Sequence, residues 1–164
     1  MYPDDRNSLL HRLGEARIKI EELLPKIDPE KEVYPGWSIR HLLAHITGWD
    51  SASIDALRAH GMGCPPSIPV IHGLDKYNEL TVSSRADLTY EQIINEWRLK
   101  RHVLREIIEQ LPEEKFLESL TVPWGKKITV ARLVDIFCRH EEEHAQDINE
   151  WLKQPEKPLE KAGK

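Results

Sequence analysis

Apolar positions recur along most of this chain at steps of three and four residues, the period of one buried face of an α-helix. Four stretches carry the pattern. Leu9, Leu13, Ala16, Ile20 and Leu23 or Leu24 predict a first helix over about Asp5–Leu24, with Asp4 or Asp5 as its cap and Pro25 as its stop. After a loop from Pro29 to Gly36, Leu42, His45, Trp49 and Ala52 mark a second helix. Ser38 is its N-cap, Trp37 and Leu42 occupy the hydrophobic-staple positions, and it runs to about His60, before Gly61. Thr89 and Gln92 have capping-box spacing and open a third helix, whose face is Ile93, Trp97, Leu104, Ile107, Ile108 and Leu111 and which Pro112 ends. Thr129 caps the fourth, whose seam reads Leu133, Phe137, His140, His144, Ile148, Trp151 and reaches about Leu152. The expectation is an all-α fold, a four-helix bundle with long connections, spanning residues 1–154 as a single domain.

Two connections stand out. Gly61 to Asp87 contains Pro65, Pro66, Pro69 and Gly73, with room for a short helix around Asp75–Leu80. A connection of that length is often functional, and Tyr77 and Asn78 are its candidates for a pocket mouth, although surface packing is the simpler reading. Residues 116–127 alternate loosely around Trp124-Gly125 and predict an extended connection or a short hairpin before the last helix. Beyond Gln154 the chain is rich in lysine and proline, which predicts a flexible tail over 155–164.

Composition narrows the function. Apolar residues make up 40% of the 164 and charged residues 31%, a balance for a folded soluble domain rather than a disordered one. The net charge is -5 and no basic stripe is visible, which argues against nucleic acid as a partner. No apolar run is long enough for a membrane span. Cys64 and Cys138 are far apart and form no CxxC pair, which fits a reducing, cytoplasmic setting.

The chemistry lies in the histidines. His140 and His144 are four residues apart, on one face of a helix, at seam positions where leucine is expected. His45 holds a similar place on the second helix, whereas His41, one turn earlier, falls at the rim. Burying three imidazoles without partners is costly, so three inward histidines on two helices point to a metal site. Three protein ligands leave a coordination position open, the pattern of a catalytic centre. The stretch His140-Glu141-Glu142-Glu143-His144 also satisfies HExxH, in which the glutamate activates water, but no histidine follows to complete a zinc-protease pattern. Glu141, Glu142 or Glu143 is a candidate for orienting a ligand or acting as a base; for most of them a solvated acidic face is the simpler reading. His72, Asn95 and His102 are expected at the surface.

The run from Pro35 to Asp50, PGWSIRHLLAHITGWD, followed far downstream by His140 and His144, resembles the DinB/YfiT-like superfamily. The resemblance spans all four helices. It implies a four-helix bundle with a divalent metal, often zinc or nickel, held by three histidines. Its first ligand lies in a W-S-x-x-x-L-x-x-H context and matches His45; the others match His140 and His144. Members include transferases and isomerases that use low-molecular-weight thiols, hydrolases, and a genotoxin-protecting branch of ClbS/DfsB type, which the stretch Gly73 to Leu80 resembles loosely. The resemblance thus implies a metal-dependent enzyme acting on a small molecule, with water or a thiol cofactor activated by the metal, and by analogy a homodimer. The competing expectation is a metal-stabilised bundle that binds or sequesters a small molecule without turnover.

Overall fold

Each of the four periodic stretches is a helix in the computed structural model, which describes residues 5–160. The long helices are α1 (Arg6–Glu21), α2 (Ile39–Met62), α4 (Tyr90–Gln110) and α6 (Val130–Leu152), joined by the shorter α3 (Leu74–Ser83) and α5 (Glu113–Leu117). Their starts follow the capping residues. Asp5 accepts from the Ser8 N–H at 3.0 Å, Thr89 and Gln92 close a reciprocal capping box, and Thr129 accepts from the Arg132 N–H. Asp4, the other cap considered for α1, lies outside the described residues. The first helix ends at Glu21, earlier than Pro25 alone suggests, because Leu24–Lys26 tightens into a 3-10 turn with the proline inside it. The second runs past Gly61 to Met62, since the left-handed cap that ends it is Gly63, with φ +69°.

The stretch expected to be a loop before α2 is partly sheet. Strand β1 (Glu32–Tyr34) pairs antiparallel with β2 (Trp37–Ser38) across Pro35-Gly36. Proline followed by a glycine at φ +78° suits a type II turn, which lets the chain reverse there. A second ribbon, β3 (Leu120–Thr121) with β4 (Lys127–Ile128), forms the short hairpin expected before the last helix. Past Gln154, the Leu159 N–H donates to the Val33 carbonyl at 2.7 Å, tying that point of the tail to β1; residues 161–164 lie outside the described residues. No helix among the described residues is long and apolar enough to cross a membrane.

Helix α1 packs along α6 and α2 along α4. The core divides into two apolar clusters, one around Leu13, Leu57, Leu104 and Phe137, the other around Ile20, Leu42, Trp97 and Ile148. Where one gives way to the other, each long helix contributes a buried charge: Arg17, Asp50, Arg101 and Glu141. Arg17 donates through Nε and Nη2 to Glu141 at 3.1 and 2.9 Å, and through Nη2 to Asp50 at 3.0 Å. Arg101 reaches both Asp50 oxygens at 3.0 and 3.2 Å and also bonds Glu141. Arg17 further donates to the Trp97 carbonyl and lies 4.0 Å over the Trp97 ring. Two positive and two negative charges cancel, so the layer is neutral as a unit and costly to break singly.

Helix α3 is seated on α2 by close approach. A Cβ at Gly48 would lie 1.8 Å from Thr81 Oγ1 and 2.6 Å from Thr81 Cβ, so only glycine admits this contact. Tyr77 donates to the Gly48 carbonyl at 2.6 Å, and the Trp49 indole donates to Asn78 at 3.0 Å.

Gly48→Ala is expected to lower unfolding free energy by about 1–3 kcal/mol in urea titrations, and adding Thr81→Ala should recover part of the loss. Glu141→Gln leaves two buried guanidiniums short of a countercharge and is expected to cost roughly 3–5 kcal/mol. Burial opposes the Glu141 charge, but Arg101 and Arg17 outweigh it and hold the carboxyl down to about 2. With its folded value below its unfolded one, Glu141 contributes stability above the ordinary carboxylate range and loses it as pH falls toward that value. The wild type should therefore lose stability between roughly pH 5 and pH 2, and Glu141→Gln should show a shallower acid limb.

Candidate metal centre

His45 comes from the first half of α2, and His140 and His144 from consecutive turns of α6. Helical periodicity places each pair partner, and the charged layer holds the two helices in register: Asp50 follows His45 by little more than a turn and Glu141 directly follows His140. His45 and His144 are buried and His140 is half-buried, so the cluster faces outward at His140. One ring nitrogen of each histidine converges with the others, all lying within 4.8 Å of one another. Nε2 of His140 lies 3.1 Å from Nε2 of His45 and 3.0 Å from Nε2 of His144. A tetrahedral ion with metal–nitrogen bonds of about 2.0–2.1 Å sets its ligand atoms roughly 3.3–3.4 Å apart. The donor set and these spacings therefore fit one divalent ion.

The outward nitrogen of His144 is held in turn. Tyr34 Oη lies 2.9 Å from His144 Nδ1 and donates to Asp147 Oδ2 at 2.7 Å. A phenol has one proton to give. With that proton on Asp147, the Tyr34 oxygen accepts from Nδ1–H of His144, which leaves the His144 Nε2 lone pair turned toward the other imidazoles. Burial, and Asp147 beside it, push the Tyr34 hydroxyl well above its ordinary range, so it stays a phenol. On the other side, the Trp37 ring tilts against His45 with centroids 5.2 Å apart.

The remaining sequence candidates fall elsewhere. Glu141 shares the helix with the histidines, but its two oxygens are taken by Arg17 and Arg101 in the charged layer. Glu142 is exposed and pairs with Lys19, and Glu143 is exposed. Tyr77 is engaged with α2 through Gly48 and through the Trp49 ring, 4.7 Å between centroids; burial pushes its hydroxyl up to about 12. His41 is half-buried at the start of α2, where its Nδ1 accepts from the Ser38 N–H at 3.0 Å. His72, Asn95 and His102 are exposed, as expected.

Tyr34, Asp147 and, of the charged layer, Arg17, Asp50 and Arg101 were not singled out from the sequence. Asp147 sits three residues past His144 and Arg17 interrupts the α1 seam between Leu13 and Ile20, so both left a trace. Tyr34 left none, since its contact spans 110 residues.

The sequence matches the DinB superfamily over residues 5–148. No curated protein matches it. Among solved structures, an uncharacterised protein from Escherichia coli UTI89 superposes with a TM-score of 0.77 at 19% identity, covering 96% of this chain and 98% of that one. A mycothiol-dependent maleylpyruvate isomerase superposes with a TM-score of 0.67 at 17% identity over 85% of this chain, which spans 60% of the isomerase's length. A histidine-to-alanine variant of such an isomerase gives 0.69. At these identities the superpositions speak for the fold, an all-α bundle of the kind the helical pattern predicts. With most of its length matched and its bundle shared, the chain belongs to the DinB superfamily.

Proposed function

We propose that this protein is a metal-dependent enzyme in which His45, His140 and His144 hold one zinc or nickel ion and in which a low-molecular-weight thiol is the activated group. The convergence of three imidazole nitrogens, with His140 Nε2 lying 3.1 and 3.0 Å from Nε2 of His45 and His144 and all three within 4.8 Å of one another, is the observation that carries the reading. A divalent ion bound by three neutral histidines acidifies a coordinated water or thiol and polarises an electrophile. Tyr34 and Asp147 keep His144 in the tautomer that presents Nε2. His45 is buried and shielded by Trp37, so exchange with small molecules takes place at the His140 side.

The engagement of Glu141 and Asp147 beside the cluster supports thiol transfer over hydrolysis. A hydrolase needs a base beside the attacking water. Glu141 is committed to two arginines, and Asp147 already accepts the Tyr34 proton. A thiol needs no such base, because its own acidity falls within reach once it is coordinated. The mycothiol dependence named for the isomerase of similar fold supports the same choice.

Protein purified without a histidine tag should contain about one divalent ion per chain, and His140→Ala should lose it; a wild type that takes up neither zinc nor nickel would overturn the site. Tyr34→Phe should retain the fold but weaken metal affinity about 10–100-fold in chelator competition. Metal-loaded protein should consume free thiol in the presence of alkyl or epoxide electrophiles, whereas ester hydrolysis without added thiol would favour the hydrolytic reading.

A further inference from the structure

A cavity of about 480 Å³ lies between the start of α2 and α3, beside the histidine cluster but not lined by it. That volume suits a small organic ligand. Its α2 wall carries Trp37, Arg40 and His41, and its α3 wall carries Asp75 and Glu79. Ala44, Val82 and Ile93 supply apolar surface between them.

The charges on these walls are unusual for this molecule. The buried or half-buried arginines Arg6, Arg12, Arg17, Arg85 and Arg101 each meet a carboxylate. Arg40 is half-buried as well, yet its only partner among the described residues is the Leu88 carbonyl, which takes both Nη groups. A guanidinium has five N–H donors, so Arg40 keeps donors to offer. Across the cavity, Asp75 and Glu79 lie one helical turn apart on α3, and neither forms an ion pair among the described residues. Arg85, on the same side, is already neutralised by a two-pronged contact with Glu96 at 2.9 Å. His41 adds a donor: with Nδ1 accepting from Ser38, its neutral ring carries the proton on Nε2.

One cation and two anions thus face each other across a gap without closing it. An anion alone would meet Asp75 and Glu79, and a cation alone would meet Arg40. The geometry points to a binding site for a small zwitterion of amino-acid or dipeptide size, its carboxylate on Arg40 and His41, its ammonium on Asp75 and Glu79, and its apolar body against Trp37, Val82 and Ile93. The Gly48–Thr81 contact sets the width of this cleft by fixing α3 on α2. Trp37 is shared with the histidine cluster, so an occupant sits next to the metal centre proposed above. The site does not depend on that metal.

The test is calorimetric titration of the full chain, stripped of metal, with phenylalanine and phenylalanylglycine as zwitterions. Phenethylamine, 3-phenylpropionate and N-acetylphenylalanine amide serve as analogues lacking one or both charges. Saturable binding of at least one zwitterion is expected, about tenfold tighter than any analogue, since each charged contact is worth at least that factor. Arg40→Gln and, separately, Asp75→Asn with Glu79→Gln should each weaken it about tenfold. The acidic pair is exposed, so its variant keeps its fold even if Arg40→Gln loses the Leu88 contact. Absence of saturable binding for both zwitterions overturns the site, as does equal binding of the uncharged amide or indifference to both sets of substitutions.

Discussion

The rest of the structure depends on the layer of four buried charges. A helical bundle held only by apolar seams can slide by a turn at modest cost, because leucine packs against leucine in several registers. Arg17, Asp50, Arg101 and Glu141 remove that freedom. Their hydrogen bonds are directional, and a shift of one helix would leave a buried guanidinium or carboxylate unpaired. The layer joins all four long helices at one level. The histidines stand next to it in sequence, so whatever fixes Asp50 against Glu141 also fixes His45 against His140 and His144.

Around that frame the small irregular segments do the fine positioning. The β1–β2 hairpin brings Tyr34 to His144 and Trp37 to His45, one from each strand of the ribbon. The Pro35-Gly36 turn between them is therefore part of the histidine cluster's construction. Helix α3 plays the corresponding role on the far side of α2. It is docked through Tyr77, Asn78 and Thr81, so most of the long connection that carries it is packed structure with a cleft beside it.

Much of this was legible before the structure. Capping residues and apolar periodicity located the four long helices, and the Trp124-Gly125 stretch indicated the hairpin before α6. Histidines at leucine positions marked the cluster, because a polar ring on an apolar seam demands an explanation. Arg17 and Arg101 stand on their own seams without giving the same signal, since a long basic side chain can reach solvent from a partly buried position. Glu141, a candidate for orienting a ligand or acting as a base, meets Arg17 and Arg101 in the bundle instead. Motif spacing suggested water activation, but in a helix the residue after His140 points about 100° away, into the bundle.

The sequence by itself determined the periodic helices, their caps, and which three imidazoles share the inner faces, because these follow from spacings within one turn or one helix. Only the tertiary structure decided which charges neutralise one another, that Tyr34 supports His144, and that Arg40 faces Asp75 and Glu79 across a cleft. Those pairings join residues tens to more than a hundred positions apart. Local propensity carries no information about them; they exist because packing the apolar faces brings distant polar groups together, and burial makes leaving them unpaired costly.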